Sequence, residues 1–215
     1  MNVLRAKNFF CNMNANRWII VLNVAFFIIA IFFSKNQNFL DYFALKPDNI
    51  LHFRYLWTLL TSFFLHLNFS HLFVNMLSLL FIGSFVERVI GRKRFLFIYL
   101  ISGLIAGLFF TFLALAFQSE LQVYAIGASG AIFALGGLLM ILTPKLPVLV
   151  FFMIPMKMFN AMLFLLIALW VISWLSGLPI GNTAHLGGLL VGIAYGLYLK
   201  RKYKKKIIML NRMFS

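Results

Sequence analysis

GASGAIFALGGLLMIL, residues 127–142, is the stretch on which the reading of this chain turns. It opens on four small residues, Gly127, Ala128, Ser129 and Gly130, and continues without a charge to Leu142, just before Pro144. The composition around it is that of a bilayer protein. Of 215 residues, 63% are hydrophobic and 18% aromatic, and the charged share is 11%, far below the quarter or so typical of soluble domains. Twenty-seven Phe suit lipid-facing helices, and Gly inside apolar runs suits close helix contacts. A net charge of +15 raises the question of nucleic acid. The basic residues, however, lie between apolar runs and at the C-terminus, where membrane topology accounts for them, so no nucleic-acid partner is expected. The single cysteine, Cys11, excludes an intrachain disulfide.

Outward from residues 127–142, apolar length and basic gaps predict six spans forming an all-α polytopic bundle. The first runs from about Trp18 to Phe33, after Arg5, Lys7 and Arg17, and lacks a small-residue cleavage site, so it reads as retained. From Ser34 to Phe69 lies a long connection with Lys35, Asp41, Pro47 and Asp48, then Tyr55 and Trp57, whose aromatic character suits a segment lying in or on one leaflet. The second span covers about Ser70 to Val86, the third about Phe95 to Phe117, the fourth begins near Gly127, the fifth covers about Phe159 to Leu175 and the sixth about Ala184 to Leu199. Loops at Gln118–Tyr124 and around Gly177, Pro179 and Gly181 join them, and the apolar stretch Val148–Met158, interrupted by Pro155, is too short to cross. Three segments result: 1–17 as a cytoplasmic N-terminal segment, 18–199 as the six-helix domain, and 200–215 as a basic cytoplasmic tail that touches anionic lipid.

Basic residues cluster on alternate connections, which leaves Lys35, Lys46 and Arg54 on the opposite side. The positive-inside rule therefore puts both termini in the cytoplasm and predicts an integral protein of the cell membrane. The second, fourth and sixth spans then all run inward, so that Ser129, His185, His71 and Asn75 share a shallow depth below the outer face. Polar side chains inside a bilayer face a bundle interior or a cavity. Ser129 needs a base to become a nucleophile, and His185 is the histidine that topology puts beside it. The unpaired N–H groups that open the fourth helix, around Ala128 and Ser129, are donors for a developing oxyanion; Gly127 and Gly130 leave room for a carbonyl against them. His71 and Asn75, four apart on one helix face, add side-chain donors. The acids are Asp41, Asp48, Glu87 and Glu120, and Glu87 lies at the wrong end of the second span, so a dyad is expected and not a triad. Gly188, Gly192 and Gly196 allow the sixth helix close to the fourth, Phe133 can stack on the imidazole, and Gly103 and Gly107 serve similar packing in the third.

Each of these features also has a plain explanation. A Gly-Ala-Ser-Gly cluster packs helices, a membrane histidine is often a hydrogen-bonded structural group, as expected of His52 and His66, and there is no Gly-x-Ser-x-Gly elbow. His66 and His71, five apart, point in different directions on a helix, and no His-Glu-x-x-His is present, so no metal is expected. Spacing and topology leave an intramembrane hydrolase and a small transporter or channel both open.

Taken in order, Trp57, His66, His71 with Asn75, Glu87-Arg88 with Gly91, Gly127-Ala128-Ser129-Gly130, and Ala184-His185 with Gly188 and Gly192 resemble the rhomboid intramembrane serine proteases in their basic six-helix form. The resemblance implies Ser129 as nucleophile, His185 as base, His71 and Asn75 lining the oxyanion hole, and the Trp57 region as a membrane-embedded first loop. It also implies cleavage of other proteins' transmembrane segments near the outer face, without metal or cofactor, with His66 and Glu87 structural. Thr58 follows Trp57 where the family often has Arg, and Phe133 stands where some members carry Tyr. Inactive relatives act as membrane-helix binding proteins, which is the alternative reading. Substrate access between the second and fifth helices or under the Gly177 loop is open, as is the oligomeric state.

Overall fold

A computed structural model describes residues 14–33, 38–116, 120–151, 153–177 and 180–214. Arg5, Lys7, Cys11, Lys35, Gln118 and Pro179 lie outside the described residues, and with them most of the segment 1–17. Six long helices build the bundle: α1 Ala15–Phe33, α2 Phe69–Ile90, α3 Arg92–Ala116, α4 Ser129–Leu142, α5 Met158–Ser176 and α6 Asn182–Lys202. A short α7, Lys204–Asn211, follows. Helices α1, α2, α3 and α5 are each long and apolar enough to cross a membrane. The fold is the helical polytopic membrane bundle that apolar length predicts.

Helix α4 is the axis of that bundle. Its 14 residues reach only about 21 Å, less than the roughly 30 Å of a hydrocarbon core, so one end stops inside the bilayer. All of it except Ser129 and Ile141 is buried. Helix α6 lies against it at backbone distance: a Cβ on Gly188 would overlap the carbonyl of Gly130, and one on Gly192 that of Ala134. Gly137 repeats the contact from the α4 side, its Cβ position being 2.5 Å from the carbonyl oxygen of Leu189. Small residues give helices this approach where lipid supplies no hydrophobic drive to associate.

Local chemistry sets the helix ends. The Asn68 side chain accepts from His71 N at 2.8 Å and starts α2, and Gly91, with φ of 84°, turns the chain into α3. Glu87 accepts from the backbone N–H groups of Ala15 and Asn16, both at 2.9 Å, and so satisfies the beginning of α1. Its place far from Ser129's end of the bundle thus has a structural use. The connection between α1 and α2 is folded as short helical turns, Phe39–Phe43, Pro47–Leu51 and Thr58–Thr61. It is tied to the loop before α4 by a Leu45–Ala125 bridge, with N···O distances of 3.1 and 2.8 Å, and by Asp48 N to Leu121 O at 3.1 Å.

In the apolar stretch too short to cross, β1, Pro147–Val150, pairs antiparallel with β2, Ile154–Lys157, with Leu149 opposite Pro155. Apolar side chains at Leu149, Phe151, Met153 and Ile154 stay exposed on this hairpin. Gly103 and Gly107 do not receive another helix; their faces are filled by the Phe63 ring and by Leu45 from the first connection. In the tail, α7 docks on the bundle through buried Ile207 and through Asn211 Nδ2, which donates to Leu142 O at 2.7 Å.

Candidate active site

The loop before α4 delivers Ser129 through one unusual backbone position. Gly127 has φ of 111°, a conformation other residues rarely adopt, and its N–H donates to Ser62 O at 2.8 Å. The first bond of α4 runs from Ile132 N to Ala128 O at 3.0 Å, so the N–H groups before Ile132 open the helix without carbonyls behind them in α4. These donors lie at the positive end of the helix dipole, on the turn that carries Ser129.

Helix α6 brings His185 to the same point. Its Nε2 is 2.8 Å from Ser129 Oγ, and its ring is buried. The Phe133 ring lies parallel to the imidazole, with centroids 4.5 Å apart and planes within 10°. With Nε2 accepting from the serine hydroxyl, the ring proton sits on Nδ1, which is buried without a hydrogen-bond partner among the described residues. Among the described residues no carboxylate bonds the far side of this ring.

Helix α2 forms the third wall. A Cβ built on Gly127 would lie 2.8 Å from His71 Nε2 and 3.9 Å from Ser129 Oγ. The His71 ring therefore packs against the face of Gly127, where any side chain would displace it. Asn75, 5% exposed, donates through Nδ2 to His71 O at 2.8 Å, which leaves the second N–H of its amide for another acceptor.

The structure brings together Ser129, His185, Phe133, Gly127, Ala128, Gly130, Gly188 and His71, with Asn75 buried one turn along α2 from His71, while Gly192 makes the same close approach as Gly188 one turn further along α6. His66 differs from expectation: its ring meets that of His71 edge-to-face at 5.1 Å, because His66 precedes α2 and is not on its surface spiral. Trp57 lies in the first connection, donating Nε1 to Tyr42 O at 2.8 Å. Thr58 after it is buried, and Arg54 turns to Asp48 at 3.4 Å, tying this connection to itself. Among the described residues no cluster of three His, Cys, Asp or Glu side chains can hold a metal.

Sequence reasoning missed one link. Tyr124 donates its hydroxyl to Asp41 Oδ1 at 2.7 Å, joining the first connection to the loop that carries Gly127. The Tyr124 hydroxyl, together with Asn49 and Lys46, holds the Asp41 carboxyl below the usual carboxylate range, and burial followed by that same carboxylate pushes Tyr124 up to about 12. The partners are 83 residues apart, and no local pattern marks them.

A polytopic helical bundle with a serine and a histidine meeting across two glycine-packed helices defines a narrow class of membrane proteins. Residues 54–202 match the Rhomboid domain, and the chain belongs to the rhomboid family. It is similar to "RHOMBOID-like protein 2" of Arabidopsis thaliana, with 36% identity over 157 residues, 73% of this chain and 46% of the relative. It is also similar to "Rhomboid protease GluP" of Bacillus subtilis, 33% identical over 186 residues (81% of this chain, 33% of the relative). With "Rhomboid protease GlpG" of Salmonella paratyphi A the identity is 27% over 180 residues, 82% of this chain and 60% of the relative. The chain spans less than two thirds of the length of these curated relatives.

Proposed function

We propose that the chain is an intramembrane serine endopeptidase that cleaves transmembrane segments of other membrane proteins near the outer face of the cell membrane. The observation that carries this reading is the 2.8 Å approach of His185 Nε2 to Ser129 Oγ beside the open start of α4. Ser129 Oγ attacks the scissile carbonyl as His185 Nε2 takes its proton. The oxyanion is held by the N–H groups of Ala128 and Ser129 and by the side chains of His71 and Asn75. His185 then gives the proton to the leaving amine as the C–N bond breaks. A water molecule, deprotonated by the same ring, hydrolyses the acyl-enzyme and returns the serine hydroxyl.

In this reading residues 18–199 form the protease domain, 1–17 and 200–215 are cytoplasmic, and the buried bilayer is where substrate arrives. A peptide bond in a helix is hydrogen-bonded and shielded, so substrates with helix-weakening residues near the outer interface are preferred. The test is cleavage of a single-span substrate co-reconstituted in liposomes with wild type, Ser129→Ala and His185→Ala. Both variants lose cleavage and fluorophosphonate labelling of Ser129; undiminished cleavage by Ser129→Ala refutes the mechanism. Client capture by wild type without cleavage is the outcome that favours a catalytically silent membrane-helix binding protein.

A further inference from the structure

One turn inward of Asn75, the hydrogen-bond ladder of α2 changes step. Leu79–Gly83 form a π turn, in which Ser84 N–H reaches back five residues to Leu79 O. A π turn holds one residue more than an α turn, and each α residue turns the chain by about 100°. The outer half of α2, which carries His71 and Asn75, therefore faces about 100° away from where an unbroken α-helix would point it.

The inner half has no freedom to absorb that difference. Glu87 holds the N–H groups of Ala15 and Asn16, and Val86 is fully buried. Straightening the turn would thus move the outer half, and Asn75 would take the direction now held by Val74, which is 50% exposed on the outside of the bundle. His71 would likewise move to the direction of Ser70, and its ring would leave the face of Gly127 that it now covers.

Asn16 of α1 holds the turn open. Its Nδ2 donates to Leu79 O at 2.7 Å and to Ser84 Oγ at 3.0 Å, bridging both ends of the π turn, and the residue is fully buried. Gly83 makes the seat: a Cβ there would come within 2.8 Å of Asn16 Cγ. In a bilayer a backbone carbonyl displaced from the α pattern has no water to turn to, and a side-chain donor fixes it where it is.

We propose that Asn16 is a positioning residue: by holding the π turn of α2 it sets the rotation that aims His71 and Asn75 at Ser129. This rests on the protease reading for its kinetic consequence, and on geometry alone for the rotation. The experiment compares the full chain with Asn16→Leu, which removes the donors at similar size, and with Asn16→Leu combined with deletion of Phe81. That deletion removes the extra residue, so a regular α-helix links the two halves of α2 in their present phase. In liposomes Asn16→Leu lowers kcat by roughly 100-fold, the scale of a lost oxyanion donor, with KM little changed. The deletion then recovers most of the loss, which a merely destabilising substitution does not allow. In parallel, a nitroxide at Asn75→Cys in a Cys11→Ser background gains accessibility to lipid-dissolved oxygen when Asn16→Leu is added. Unchanged accessibility, or an active wild type whose kcat survives Asn16→Leu, overturns the proposal. So does an Asn16→Leu defect that the deletion leaves or deepens. A wild type that neither cleaves nor labels refutes the protease reading instead, and the accessibility measurement still decides the rotation.

Discussion

Gly188→Ala tests the closeness of α4 and α6 most directly. The added Cβ would lie 2.9 Å from the carbonyl carbon of Gly130 and overlap its oxygen. Carbon atoms in good contact stand about 3.5–4.0 Å apart, so the two backbones must part by roughly 1 Å, and neither can yield as a flexible side chain would. The His185–Ser129 separation of 2.8 Å then opens towards 4 Å, beyond the about 3.0 Å limit of an O–H···N bond. Overpacking of this sort costs about 1–3 kcal/mol of stability, and a misplacement of about 1 Å at reacting groups costs on the order of 100-fold in rate. The assay is kcat/KM for a single-span substrate in liposomes, read beside thermal unfolding in detergent. Gly136→Ala is the control, because its Cβ meets only the thioether end of Met162, which can move. A Gly188→Ala protein that folds, unfolds at the wild-type temperature and cleaves within about threefold of wild type, well short of the expected rate loss, would refute the reasoning.

Phe133→Ala removes the ring stacked on His185, and kcat falls roughly 2- to 10-fold with KM unchanged, the kinetic size of a stacking energy of about 0.5–1.5 kcal/mol; Phe133→Tyr keeps the activity. Asp41 has a folded pKa below its unfolded value of about 4, so its bond to Tyr124 contributes stability at and above neutral pH that is lost as pH falls through the lowered folded value. Tyr124→Phe removes the first cause of that depression, so acid-induced unfolding begins at higher pH than in wild type, measured by thermal melts between about pH 3 and 7. Asn211→Ala frees Leu142 O and undocks α7 at a cost of about 1 kcal/mol, and trypsin then cuts at Lys204–Lys206 sooner while substrate cleavage is unchanged.

The helices were legible because a bilayer imposes its thickness on every span, and Arg88 to Arg94 or Lys200 to Lys206 mark where a span must stop. The meeting of Ser129 and His185 was legible for a related reason: Gly188 and Gly192 announce a backbone contact between their helices that only small residues permit. The π turn was not, since a fifth-neighbour hydrogen bond has no residue signature and its partner, Asn16, comes from another helix. The hairpin at 147–157 hid in an apolar run whose Pro155 reads as a helix breaker but sits facing Leu149. His66 reaches the His71 ring because the helix begins after it, at Asn68, a residue suited to helix starts.

The contact between α4 and α6 also orders events during synthesis. Ser129 leaves the ribosome well before His185, and the glycine face that closes on Gly130 and Ala134 belongs to the last of the six helices. A nascent chain with α4 complete therefore holds a serine without its imidazole, among the unfinished helices of a crowded insertion site. The hydroxyl meets the imidazole only when the bundle is closed, so that the pairing of these two side chains and the completion of the fold are a single event.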